Sequence, residues 1–167
     1  MEMTIPAPAL RLGGFVLGHA LWNVSDMPDG ECLVPLAISE HTGERELLRF
    51  EAETQELAIR MGKAEMVQLT GAVDAWAFAR DGVFNEGTRS TDVITVDVWA
   101  RGMKTPVSIV QRYEPFANRG RFKIIDAPLI IIQGEMVDPS EHEAALSELH
   151  HGLFQHAKAA ELWEGWQ

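Results

Sequence analysis

Four β-like runs follow one another from Asp74 to Gln133, each closed by a turn signal: VDAWAFARDG, VITVDVWARG, TPVSIVQRYEP and RFKIIDAPLIIIQG. Consecutive short strands joined by turns pair most simply with their neighbours, as an antiparallel meander. The alternation supports this. Trp76 and Phe78 face one way in the first run, and Ala75, Ala77 and Ala79 the other. Ile94, Val96, Val98 and Ala100 oppose Thr95, Asp97, Trp99 and Arg101 in the second, and Val107, Ile109, Gln111 and Tyr113 oppose Ser108, Val110 and Arg112 in the third. Period two with one apolar face describes a sheet covered on that face.

The small side chains of Ala75, Ala77 and Ala79 admit a helix close to the sheet, and the preceding helix is the natural candidate. Asp81-Gly82 reads as a tight turn, with Val83 to Thr91 as a polar loop after it. In the fourth run Asp126 and Pro128 break the strand, and the apolar LIII run predicts burial on both sides or in an interface.

Helical patterns flank the meander. TQELAIRMGKAEMVQL is rich in helix formers, with Thr54 as N-cap, Leu57, Met61 and Ala64 on one face that the adjacent Ala58, Met66 and Leu69 widen, and Gly71 closing it. At the C-terminal side, Asp138-Pro139-Ser140-Glu141 carries an aspartate cap, a first-turn proline and a glutamate at the third position. Apolar residues then recur at helical spacing to about Glu164.

Before the first helix, Pro6 and Pro8 suggest that residues 1–9 form a flexible arm. Gly13, Gly14 and Gly18 argue against a helix in Leu10–Val24, which reads as one or two strands bent at Gly13-Gly14. Cys32 to Ile38 is a short strand whose Pro35 implies an edge or a bulge. The turn SEHTGE and the strand RELLRF follow. The expected architecture is α+β: a mainly antiparallel β-meander sheet packed against one central helix and a C-terminal helix. Residues 10–167 then form a single domain.

Fourteen Lys and Arg against 25 Asp and Glu give a formal charge of −11. Such a surface repels phosphate backbones and anionic lipid, so neither nucleic acid nor membrane is the expected partner. A protein partner or a second copy of the chain fits better. The single Cys32 lies in an apolar run beside Glu31, which predicts a buried, inert thiol. Without a basic start and a long apolar region at the N-terminus, the expected location is the cytoplasm.

Chemistry-bearing motifs are sparse. His142, His150, His151 and His156 fall in the last helical pattern without the four-residue separation that sets two imidazoles over one metal. RLGGFVLG lacks the spacing of a pyrophosphate-binding turn, and no GxSxG elbow occurs. No catalytic residue, cofactor or metal is therefore assigned. Two groupings stand out. Asp97, Arg101, Arg112, Tyr113 and Glu114 form a candidate polar pocket over the sheet, with Asp97 placed to pair across strands with Arg112. Trp163 and Trp166, two of five tryptophans, form a candidate interface at the C-terminus. The favoured expectation is a non-catalytic module acting by protein contact or self-association, in the manner of an immunity protein or inhibitor. The alternative is a small enzyme or small-molecule-binding protein.

Overall fold

In the computed structural model, which describes residues 5–137 and 142–167, the meander is one antiparallel sheet ordered β2-β1-β3-β4-β5-β6-β7. Its strands are β1 (Leu36–His41), β2 (Glu44–Arg49), β3 (Ala75–Glu86), β4 (Arg89–Ala100), β5 (Val107–Glu114), β6 (Lys123–Ile132) and β7 (Glu135–Val137). The helices are α1 (Ala7–Val24), α2 (Gln55–Leu69), the short α3 (Phe116–Arg119), α4 (Glu143–Phe154) and α5 (Ala157–Leu162), with a final 3-10 turn over Trp163–Trp166. The α+β expectation holds. No described helix is long and apolar enough to cross a membrane.

The largest departure from the sequence reading is α1. Leu10–Val24 is helical rather than extended, and the helix starts at Ala7. Pro6 is its N-cap and Pro8 lies in its first turn, where a missing N–H costs nothing. Residues 7–9 therefore belong to the fold and not to an arm. The three glycines lower helix propensity, but they let α1 sink between two neighbours. A Cβ on Gly13 would lie 2.5 Å from Val98 Cγ1 on the sheet, and one on Gly14 would overlap the Leu149 carbonyl of α4. The opposing Gly152 of α4 meets the Arg11 backbone in the same way. Helix–helix and helix–sheet contact at this range outweighs about 1 kcal/mol of propensity per glycine.

The alanine face of β3 packs on α1, not on the preceding helix α2. Ala75, Ala77 and Ala79 join Leu12, Val16 and Leu17 of α1 and Ile94, Val96 and Val98 of β4 in the main core. On the other side of the sheet, α2 buries Ala58, Gly62 and Met66 at four-residue steps. Leu57 and Met61, expected to face inward, are exposed. The small residues won that face because Gly62 sits directly against the Phe78 ring. The expected Thr54 cap is present, with its hydroxyl accepting from Leu57 N at 3.1 Å.

Three boundaries also differ. β1 begins at Leu36 and is paired on both sides, so Pro35 precedes an interior strand and marks neither edge nor bulge. Asp81-Gly82 is not a turn: β3 continues through it to Glu86, and the chain reverses at Gly87, whose φ is +64°. The last helix is broken, α5 starting afresh after His156, whose Nδ1 accepts from Ala159 N at 3.1 Å as a cap. The expected cap at Asp138–Glu141 lies outside the described residues.

Candidate functional site

An 18-residue helix is roughly 27 Å long, whereas a 12-residue strand reaches roughly 40 Å. α1 therefore ends before β3 does. Past Val24 the inner face of the sheet loses its helical cover and meets the loop that carries Asp29, Glu31 and Cys32. A cavity of about 380 Å³ lies there, floored by β3, β4 and β5.

Register decides which side chains enter it. Asp92 of β4 stands opposite both Val83 of β3 and Tyr113 of β5. Asp81 lies two residues before Val83 and shares the inner face with the alanines of its strand. Tyr113 reaches across the intervening strand, and its hydroxyl donates to Asp81 Oδ1 at 2.7 Å. Leu33 N approaches Asp81 Oδ2 at 3.4 Å, tying the covering loop to the floor. The loop is held from the other side by Gln55 Nε2, which donates to the Leu33 carbonyl at 3.0 Å.

The site is electronegative throughout. Asp29, Glu31, Asp81 and Asp92 all line it, and none of its described lining residues is Lys, Arg or His. Burial pushes the Asp81 carboxyl above its usual range, against the hydrogen bonds from Tyr113, Leu33 and Gly82 that favour the anion. Asp92 is raised by burial and by the charge of Asp81. The Tyr113 hydroxyl is pushed far up by burial and by Asp81, so it stays a donor at any working pH. Cys32 is exposed, contrary to the expectation that it is buried, because the strand it was assigned to starts four residues later. Its thiol is nonetheless pushed up by burial, Asp81 and Asp92, which opposes a nucleophilic role.

The candidate pocket residues do not converge. Tyr113 faces the cavity, but Asp97, Arg101 and Arg112 are elsewhere. Asp97 lies on the outer face of the sheet, where Arg80 Nη1 at 2.6 Å and Ser108 Oγ at 2.6 Å satisfy it. It is therefore paired with Arg80 on β3, not with Arg112 on β5. Arg112 shares the outer face but stands opposite Val93, four residues along β4 from Asp97, and it reaches Glu86 at 3.4 Å and Asp126 at 3.6 Å instead. Arg101 binds Asp74 at 2.9 Å beyond the end of β4. Glu114 lies at the end of β5 and lines a shallower depression of about 200 Å³, which it shares with Tyr113 and Asp92. Of the candidate interface, Trp166 is buried against Phe122 at a centroid distance of 5.4 Å, while Trp163 is half-buried and packs on Phe154 at 5.7 Å.

Asp81 and Asp92 were missed by sequence reasoning. Asp81 was absorbed into a supposed turn, and Asp92 fell between the loop ending at Thr91 and the strand run beginning at Val93. Their parity with the buried Ala79 and Ile94 was the available signal, since a carboxylate continuing an apolar face is costly unless used. Comparison with protein-family models, curated proteins and solved structures returned no match.

Proposed function

We propose that this chain is a small-molecule-binding protein whose pocket, beyond the end of α1, takes an organic cation such as an amine or a guanidinium compound. The supporting observation is a concavity of about 380 Å³ with four carboxylates and no described basic lining residue. Its size falls in the range of small-ligand sites. Among the described residues no three His, Cys, Asp or Glu converge closely enough to hold a metal ion, so the charges suit a larger, diffuse cation. Binding replaces the unfavourable exchange between Asp81 and Asp92 with two attractive contacts, while Tyr113 keeps Asp81 oriented. Asn118 and Gln55 offer neutral hydrogen-bonding groups at the rim.

Thermal shift at low salt tests this, using 1,4-diaminobutane, butylamine and butylguanidine against butanol and butyrate. The cations raise the melting temperature saturably and the neutral and anionic analogues do not. The Asp81→Asn/Asp92→Asn variant loses the effect. Glu51→Gln/Glu53→Gln carries the same charge change outside the pocket and retains it. Equal responses to butyrate and butylamine, or equal losses in both variants, exclude the pocket.

Self-association is the second reading, and it is supported by one exposed apolar cluster. Phe154 and Leu162 are exposed beside the half-buried Trp163, so this patch, without Trp166, is the contact surface to test. Sedimentation of Trp163→Ala against wild type across a dilution series does so; an unchanged distribution removes the reading.

A further inference from the structure

His19 of α1 and His156 at the start of α5 meet in a half-buried aromatic nest, with His19 Nδ1 3.0 Å from His156 Nε2. Phe15 and Trp22 pack on the His156 ring at centroid distances of 5.1 and 5.6 Å. The surrounding hydrogen bonds fix where the protons lie. Ala159 N–H donates to His156 Nδ1, so that nitrogen carries no proton. The proton of neutral His156 is then on Nε2 and is donated to His19 Nδ1. His19 in turn carries its proton on Nε2, an atom that is buried and meets no acceptor.

A further proton has no place in this chain of bonds. On His156 Nδ1 it faces the Ala159 N–H and destroys the cap of α5. On His19 Nδ1 it faces the His156 Nε2–H and breaks the bond between helices. The charged neighbours give no compensation. Arg49 of β2 acts on His19, and Arg45 of the same strand lies 4.8 Å over the Phe15 ring, paired with Glu40 of β1. A cation at the N-cap of α5 also opposes the helix dipole.

We propose that the His19–His156 pair is a proton-operated latch. With both rings neutral it holds α5 and the final turn onto α1; with either ring protonated it lets that segment go. The same segment carries Ala159, which closes over Gly18, and Trp166, which caps Phe122, so release exposes part of the main core. Burial lowers the proton affinity of both imidazoles, and the His156 and Arg49 charges lower that of His19 further, while the His156 main chain acts weakly the other way on His156. The latch therefore holds at neutral pH and opens on acidification.

Hydrogen exchange on the full chain between pH 7.5 and 5.0 tests it, read as protection factors over residues 159–166 against those of α2. Wild type loses about tenfold protection per pH unit once one proton is taken up on opening. The double variant His19→Gln/His156→Asn keeps an oxygen to cap α5 and leaves neither ring of the pair to titrate, and its protection over this segment stays flat. Long-range ¹⁵N–¹H spectra of wild type at pH 7.5 need no variant and must show both imidazoles protonated at Nε2. An Nδ1-protonated tautomer of either ring overturns the proposal. So does wild-type protection that stays constant relative to α2, or a His19→Gln/His156→Asn chain that opens on acidification like wild type.

Discussion

Gly152→Ala inverts the ordinary rule for glycine in a helix. At an unconstrained helical position, Ala stabilises by about 0.5–1 kcal/mol, through lower entropy in the unfolded chain. Gly152 lies in the last turns of α4 where that helix crosses α1. A Cβ there would stand 2.6 Å from Arg11 C and 2.7 Å from Arg11 Cα, with the Arg11 oxygen closer still, whereas ordinary contact begins near 3.4 Å. These are backbone atoms, so no side chain can rotate away. The helices must separate by roughly an ångström, and α1 cannot follow the sheet and α4 at once, because Gly13 already meets Val98. Overpacking of this kind costs about 1–3 kcal/mol, occasionally more. Net of the propensity gain, the variant loses up to about 2.5 kcal/mol, or up to about 10 °C in melting temperature for a chain of this length. Urea denaturation measures it, with Gly165→Ala as control, since a Cβ there meets nothing within 4 Å. A lower midpoint at unchanged slope for Gly152→Ala, with Gly165→Ala within about 0.5 kcal/mol of wild type, is the expected pair of results. A Gly152→Ala chain as stable as wild type, or more so, refutes the packing explanation for the glycines of α1.

Three further outcomes follow from other parts of the molecule. Asp81 and Asp92 are both held above the carboxylate range, so the native state keeps their protons to higher pH than the unfolded chain does. Their contribution to stability is present below the unfolded value of about 3.9 and is lost as pH rises through the native one. Asp81→Asn, whose carbonyl still accepts from Tyr113, therefore matches wild type near pH 3 and exceeds it at pH 7 in urea midpoint; the reverse order contradicts the burial argument. Cys32 reacts with a small thiol reagent in the native protein, more slowly at neutral pH than a free peptide thiol, and 1,4-diaminobutane slows it further; faster labelling than the peptide contradicts the raised thiol. Trp166→Ala costs about 3–5 kcal/mol by emptying a core position and leaves the sedimentation coefficient unchanged, whereas dissociation of an oligomer would return Trp166 to the interface.

What could be read from the sequence was the periodic part. Alternation in the second and third meander strands assigned every side chain of Ile94–Ala100 and Val107–Tyr113 to its observed face. The Thr54 cap and the helix behind it were equally plain, because both are set by neighbours in sequence. The failures have one physical cause: tertiary contact overrides local preference. Gly13, Gly14 and Gly18 signal a broken helix unless Val98 and Leu149 are known to lie against them. Asp81-Gly82 signals a turn unless the floor of a cavity is known to need a carboxylate in mid-strand. His156 looked like one more residue of a continuous helix, since its capping role depends on a local backbone turn that heptad-like spacing hides. The pocket was illegible for a geometric reason. It exists because α1 is shorter than β3, and a sequence read with strands in place of α1 contains no such mismatch.

The claim that this pocket receives a cation is tested most directly by backbone and side-chain NMR shifts during titration of the ¹⁵N- and ¹³C-labelled chain with 1,4-diaminobutane at constant pH and low salt. The account predicts saturable shifts of the Asp81 and Asp92 carboxyl carbons, the Tyr113 ring and the amides of Cys32 and Leu33, absent from the Asp81→Asn/Asp92→Asn chain. Shifts that grow linearly without saturation, or that centre on the exposed glutamates or on the apolar cavity beside Trp76 and Met66, would contradict it.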